Sequence, residues 1–286
     1  MIERIAIFGT GLLGASAGLA LRAAGFRGTI VGWNRGPEQG QTALQMGAID
    51  SLASDPLQLA RESQVIVLCT PVFAILDWMG QLSGILGPDQ LVTDVGSTKA
   101  QITAAADQQF NRPDKAAFLP GHPMAGKERG GAALADAELY RGAVWLFTDN
   151  SSWKRSTESA SLIKDWREWV ARIGARVIDL DAGRHDELVA WVSHLPQFVA
   201  TALSATLQDQ VGDAPELKDV GGRALREMTR LGSSPYSMWR DIAHTNTEAI
   251  QAALAALEQR LAHIRENLRT PELRDEFETA NRFRKQ

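Results

Sequence analysis

The sequence predicts an α/β fold in which a mostly parallel sheet, covered by helices on both faces, gives way to an all-helical second part. Three observations predict it. Short apolar runs alternate with helix-length segments through residues 1–181, the pattern of parallel strands joined by crossover helices. The run Gly9-Thr10-Gly11-Leu12-Leu13-Gly14 follows directly on the first apolar run and opens a small-residue helix, the setting of a dinucleotide-binding, Rossmann-like doubly wound sheet. After about Asp181 the strand signal stops, which divides the chain into 1–181 and 182–286.

Each element has its own reason. Ile5 to Phe8 reads as a buried strand, and a helix runs from about Leu12 to Ala24, closed by Gly25. Thr29–Trp33, Val65–Cys69, Leu91–Val95, Ala117–Leu119, Val144–Thr148 and Arg176–Leu180 read as further strands. Ligands in such sheets bind at the carboxyl ends of strands. The glycine loop, Thr70, Ser97 and the loop carrying His122 all follow strand ends. In the second part, Asp186 to about Leu207 reads as a helix carrying Pro196. That proline lacks an N–H and crowds the preceding turn, so a kink or break is expected near His194. Thr245–Leu268 places Ile250, Leu254, Leu257, Leu261, Ile264 and Leu268 at heptad spacing, a seam that packs within the domain or across a dimer. Thr270-Pro271-Glu272 reads as the cap and first turn of a final helix.

Composition narrows the function classes. With 44% hydrophobic and 22% charged residues in 286, the chain has globular composition. A net charge of −4 offers no basic footprint for nucleic acid. Cys69 is the single cysteine, so no intrachain disulfide forms. No apolar run approaches the roughly 20 residues of a membrane span, and the N-terminus resembles no signal peptide. A cytoplasmic protein without membrane contact is expected. No Cys/His or carboxylate cluster has metal-ligand spacing, and the short run His185-Asp186-Glu187 lacks a partner motif.

Candidate residues follow from chemistry. Gly9 permits a tight turn, Gly11 lets backbone approach a pyrophosphate, and Gly14 lets helix pack on strand. Free N–H groups at the helix start, with Leu12 and Leu13, then face phosphate. Asn34, in Gly32-Trp33-Asn34-Arg35, stands where an acidic residue usually holds the ribose of NAD. It carries no charge to repel a 2′-phosphate, and Arg35 either pairs with that phosphate or is a solvated turn residue. This leans slightly towards NADP over NAD. His122, in Gly121-His122-Pro123-Met124-Ala125-Gly126-Lys127-Glu128, is either a base for a hydroxyl proton or a structural residue bonded to backbone. Ser97, in Asp94-Val95-Gly96-Ser97-Thr98-Lys99, either positions a substrate oxygen or caps a helix, and Asp94 and Lys99 can form a local ion pair. His194 is either a donor to substrate or a half-buried histidine on an apolar face. Arg223, Arg226 and Arg230 offer guanidinium forks for a carboxylate or form a solvated helix face.

Together these runs resemble the prephenate/arogenate dehydrogenase family of tyrosine biosynthesis. The matching residues are Gly9 to Ser16, Asp94 to Lys99, Gly121 to Gly126, Ser193-His194-Leu195-Pro196, and Met228-Thr229-Arg230 followed by Met238-Trp239-Arg240-Asp241. The resemblance implies oxidative decarboxylation of prephenate with hydride transfer to NAD(P)+, and a C-terminal helical domain that makes a homodimer. It implies that His122 bonds the ring hydroxyl and promotes its deprotonation, assisted by Ser97. His194 and Arg230 would bind the polar end groups of the substrate, with Glu128 and Trp239 lining or gating the pocket.

Several positions depart from the family pattern: Asn34, Lys127, Glu227, Arg223-Ala224 and Ser234-Pro235. No room is expected for a fused mutase or regulatory domain. Arogenate is the alternative substrate. A β-hydroxyacid dehydrogenase would need a lysine in its helical domain, and the flanks of Lys218, the only lysine between Lys164 and Lys285, do not fit. A non-catalytic dinucleotide-sensing module would keep the glycine loop without needing His122, Ser97, His194 and Arg230 together.

Overall fold

The computed structural model describes residues 1–285, and of Lys218 the backbone alone. Six parallel strands form the main sheet in the order β3-β2-β1-β4-β5-β6: β1 (Arg4–Phe8), β2 (Thr29–Trp33), β3 (Ser51–Leu52), β4 (Val65–Leu68), β5 (Leu91–Asp94) and β6 (Ala117–Leu119). The strand order reverses beside β1, the switch point at which such sheets bind ligand. The crossover helices are α1 (Leu12–Ala23), α2 (Pro37–Gln45), α3 (Pro56–Arg61), α4 (Val72–Leu82) and α5 (Ala100–Phe110).

Strand alternation builds the core twice. Ile5, Ile7, Val65, Val67 and Leu91 face one way and pack with Ala17 and Leu21 of α1. Ala6, Phe8, Ile66, Leu68 and Val92 face the other way and pack with Ile75 and Met79 of α4 and Ile102 of α5. Strands buried on both faces read as unbroken apolar runs, which is why they were legible.

The last three strands do not join this sheet. β7 (Gly121–Pro123), β8 (Val144–Phe147) and β9 (Arg176–Asp179) form a separate sheet in which β7 pairs antiparallel with β8. His122 therefore lies on a strand, opposite Leu146, where the sequence suggested a loop. The physical reason is Pro120, between β6 and β7, whose ring ends one strand and redirects the chain. The helix α6 (Thr157–Arg172), capped by the Ser156 hydroxyl on Ser159 N at 3.0 Å, covers this region with Trp166 and Val170.

Asp181 then caps α7 (Ala182–Val189) through Gly183 N and Arg184 N, and from here the chain is helical. Of the kink or break expected near His194, the helix shows no break but an irregular turn at that place. A π-helical turn, Ala190–His194, leads straight into α8 (Leu195–Val211) with the proline in its first turn. The wider turn accommodates the missing N–H and the ring, so the helical hydrogen bonding resumes beyond it. The continuous rod Ala182–Val211 is 30 residues and, by length and composition, apolar enough to cross a bilayer. Arg184, His185, Asp186 and Glu187 open this rod, and His194, Pro196 and Gln197 interrupt it, so it is not an unbroken apolar run. Short helices α9 (Leu217–Val220) and α10 (Gly222–Thr229) precede α11 (Tyr236–Thr245), α12 (Thr247–Glu266) and α13 (Glu272–Arg284). The heptad seam of α12 is buried only at its start. Ile250 is 5% exposed and Leu261 56%, and Leu268, the last position of the expected seam, lies in the turn beyond the helix, 61% exposed.

Replacing Ile66 by Ala removes a fully buried side chain from the centre of the sheet. It should cost about 2–5 kcal/mol of unfolding free energy, read from the urea midpoint.

Candidate active site

The site is built on the carboxyl edge of the main sheet. β1 is followed by Gly9, whose φ of 92° only glycine adopts freely. A Cβ there would lie 2.4 Å from the Cys69 carbonyl, so the loop is pressed onto the end of β4. A Cβ at Gly14 would lie 2.1 Å from Gly9 O, which requires glycine for the first turn of α1 to close on the loop. Gly11, at the helix start, has nothing within 4 Å of a built Cβ, so its outward face is open to a ligand. The hydroxyls of Thr10 and Thr70 are buried without a partner. A glycine cradle, free N–H groups of Leu12 and Leu13 at a helix start, and two unpaired hydroxyls fit a pyrophosphate-bearing dinucleotide. The Asn34 side chain is tied into this loop: its oxygen accepts from Thr10 N at 3.2 Å and its amide donates to Gly36 O at 3.1 Å. Arg35 is exposed beside it.

At the end of β5, Asp94 and Lys99 form the expected ion pair, but with both side chains at 0% exposure. Asp94 also accepts from Gly96 N at 2.8 Å and Gly121 N at 3.0 Å, so it binds the β5 loop to the start of β7. Ser97 sits half-buried in that loop. It does not cap α5, which begins at Ala100. The cap comes instead from across the chain: the Asp186 carboxylate accepts from Lys99 N at 2.7 Å and Ala100 N at 2.8 Å.

His122 follows on β7, 8% exposed. Its Nδ1 lies 2.8 Å from His185 Nε2, and His185 Nδ1 lies 2.8 Å from Asp186 Oδ1. Sequence reasoning set the His185-Asp186-Glu187 run aside as a metal motif without partners. The structure brings its first two members against His122, a pairing that 63 residues of separation conceal. His194, 1% exposed, faces Trp239 edge-on at 5.8 Å. Asn246 donates to the Asp186 carbonyl at 2.8 Å, which fixes its NH2 on that side and points it at His194 Nδ1, 3.3 Å away. His194 Nδ1 is thus the acceptor, and Nε2 carries the proton. That Nε2 is buried without a partner, as is Trp239 Nε1.

Glu128 and Arg230, expected at the substrate, are in contact with each other. This ion pair links the segment after β7 to the turn after α10. Arg230 is 60% exposed, so its guanidinium can exchange partners. Arg223 and Arg226 are exposed on α10, the solvated alternative of the sequence reading. Lys127 donates to Leu134 O at 2.8 Å. Among the described residues no His/Cys/Asp/Glu group is arranged to hold a metal ion.

Burial dominates the electrostatics. His122 is held well below the usual histidine range by loss of water, with His185, Lys99 and His194 adding in the same direction. His185 is lowered by burial against the opposing pull of Asp186. His194 falls to about 4, again through burial. Burial also lowers Lys99, and Asp94 opposes that shift. The three imidazoles are therefore neutral at ordinary pH and available as acceptors or donors.

The nucleotide-binding-domain model of prephenate dehydrogenase matches residues 17–179, beginning just after the glycine loop, and the dimerization-domain model matches 181–281. A prephenate dehydrogenase of Lactococcus lactis is 31% identical over 86% of this chain and 66% of its own length. The chain thus spans slightly under two thirds of that curated relative. Crystal structures similar to this one include prephenate dehydrogenase from A. aeolicus in complex with hydroxyphenyl propionate and NAD+ (28% identity, TM-score 0.83, 100% of this chain and 96% of that one). Arogenate dehydrogenase from Synechocystis is also similar (28% identity, TM-score 0.76, 99% of each chain).

Two outcomes follow from these buried groups. Lys99→Met leaves Asp94 as an uncompensated buried charge and should cost about 3–5 kcal/mol, measured by denaturant unfolding. The lowered histidines bind protons more readily when unfolded, so their contribution to stability is complete above about pH 6.5. It is lost as pH falls through that value towards about 4, the value of His194. The urea midpoint should drop on acidification across this window, and drop less in His194→Gln.

Proposed function

The chain belongs to the prephenate dehydrogenase family, and from that premise we propose that it oxidatively decarboxylates prephenate to 4-hydroxyphenylpyruvate, transferring hydride to NAD(P)+ in tyrosine biosynthesis. The observation that carries this is the convergence of three buried neutral histidines on the carboxyl edge of a dinucleotide-type sheet. In this reading residues 1–181 hold the dinucleotide and 182–286 complete the substrate pocket. Gly9, Gly11, Leu12, Leu13 and Gly14 receive the pyrophosphate, with Thr70 and Asn34 beside it.

The bound dinucleotide supplies the hydride acceptor. His122 takes the proton as the ring O–H bond breaks, while the C–H electrons leave as hydride from the same carbon. The bond to the ring carboxylate breaks, carbon dioxide departs, and its electron pair completes the aromatic ring. The proton then returns from His122 to give the phenol. Ser97 positions the oxygen. His194 offers its Nε2–H to the polar end of the substrate. Arg230 exchanges Glu128 for the side-chain carboxylate, a bidentate fork-to-carboxylate contact. Trp239 walls the pocket. Aromatisation provides the driving force, so the protein chiefly positions and deprotonates.

Position 34 supports NADP over NAD, since its amide adds no negative charge and Arg35 lies next to it. Arogenate is the second substrate reading, favoured by the similarity to the Synechocystis enzyme. It differs by an ammonium in place of the keto oxygen, and Lys127 with the nearby arginines disfavours it. A cytoplasmic homodimer goes with this proposal. Exposed Trp191, Val192, Leu261 and Phe277 line helices of the matched dimerization domain, and a second copy is the occupant that would cover them rather than a bilayer.

Absorbance of reduced nicotinamide with prephenate or arogenate against NAD+ or NADP+ tests the reading. Turnover is expected with prephenate, and none in all four combinations would favour a dinucleotide sensor. His122→Asn should lower kcat by about 10²–10⁴ with little loss of binding. Arg230→Ala should mainly raise KM, by about 10- to 100-fold. Equal loss of cofactor affinity in both variants would overturn these roles.

A further inference from the structure

We propose that Asp186 and His185 form a relay that fixes the tautomer of His122, placing its proton on Nδ1 and leaving Nε2 as the nitrogen that receives the substrate proton. The proposal rests on the reading of His122 as the base and deepens it by assigning His185 as a positioning residue.

The assignment starts at Asp186, where the donors are certain. Backbone N–H groups cannot reverse roles, and two of them, Lys99 N and Ala100 N, point at the two carboxylate oxygens at 2.7 and 2.8 Å. A carboxylate so held at a helix start is ionised and only accepts. The third contact, His185 Nδ1 at 2.8 Å from Oδ1, therefore carries a proton. His185 is fully buried and neutral, so it has one ring proton, already placed on Nδ1. Its Nε2 must accept. His122 Nδ1 stands 2.8 Å from that nitrogen, and two ring nitrogens this close need one proton between them. It belongs to His122 Nδ1. His122 is also neutral, so its Nε2 holds a lone pair.

The chain of hydrogen bonds then runs in one direction, from His122 through His185 to Asp186. When the substrate O–H bond breaks and its proton binds Nε2 of His122, the imidazolium formed still donates through Nδ1. Its charge is met by a polarised imidazole and a fixed carboxylate in a water-poor setting. The same carboxylate caps α5 behind the Ser97 loop, so one group orients the base and anchors the loop that positions the substrate oxygen.

Nitrogen-15 spectra of histidine-labelled protein decide the tautomer without any substitution in the relay. The chain has 5 histidines, and His122 is assigned from the signals lost in His122→Asn. A protonated-type Nδ1 and an unprotonated-type Nε2 near neutral pH are expected, and the opposite pattern would overturn the proposal. In kinetics, His185→Leu should lower kcat by about a hundredfold with KM changed less than about twofold. His185→Gln, whose carbonyl can accept from His122 Nδ1, should restore kcat to within about tenfold of the parent. An unchanged kcat in His185→Leu, with the parent tautomer retained, would also overturn it. If His122→Asn keeps turnover, the base reading itself fails. If His122→Asn abolishes turnover while the wild-type ring shows its proton on Nε2, only the relay fails.

Discussion

The buried pairing of Asp94 with Lys99 is the constraint from which the carboxyl edge of the sheet is assembled. Asp94 is the last residue of β5, and its carboxylate takes the lysine ammonium and two backbone N–H groups, from Gly96 and Gly121. Charges without water are tolerated only when their hydrogen-bonding capacity is met. Meeting it here requires the loop after β5 to curl back and β7 to begin beside it. The positions of Ser97 and His122 are consequences of satisfying one carboxylate.

The helical domain completes the edge by the same means. Asp186 caps α5, and Asn246 on the far side holds both the Asp186 carbonyl and His194. Further contacts tie the same junction: Thr98 Oγ1 lies 2.7 Å from Thr245 Oγ1, and Phe73 N donates to Asp241 at 3.3 Å. The polar groups of one domain thus serve as caps for helices of the other. The π-helical turn lets one rod carry Asp186 and His194 into the crevice while Pro196 sits in the next turn. A π turn adds a residue to the helical cycle and rotates the side chains that follow. The domains are joined by satisfied buried polarity, which is directional, while the small apolar cluster around Ala190, Ile242 and Ile250 lies within the helical domain.

Much of this was legible beforehand. Strands of the main sheet announce themselves because burial on both faces leaves unbroken apolar runs, and Gly9 and Gly14 are demanded by close backbone approach, whereas Gly11 stands clear of its neighbours. His122 stood out by following a strand end with Pro123 directly after it. The small second sheet was not legible, because Val144–Phe147 and Arg176–Asp179 read the same whichever sheet they join, and strand pairing is a non-local choice. His185 and Asp186 were missed for a related reason. Their local run resembles a fragment of a metal motif, and their use depends on partners 63 and 87 residues away. Ser97 read equally well as a cap because any serine before a helix does, and only a competing carboxylate from another domain removed that role.

What the amino-acid sequence determined alone was whatever depends on neighbours within a turn or a strand: the alternation of strands and helices, the glycine loop, the site of the proline, and the identities of the reactive groups. Tertiary structure decided which of those groups meet, which are stripped of water, and hence which nitrogen of each imidazole carries its proton. The reason is physical. Backbone conformation is governed by short-range sterics and hydrogen bonding, whereas the state of a titratable side chain is set by desolvation and by partners that only the folded chain brings within three ångströms.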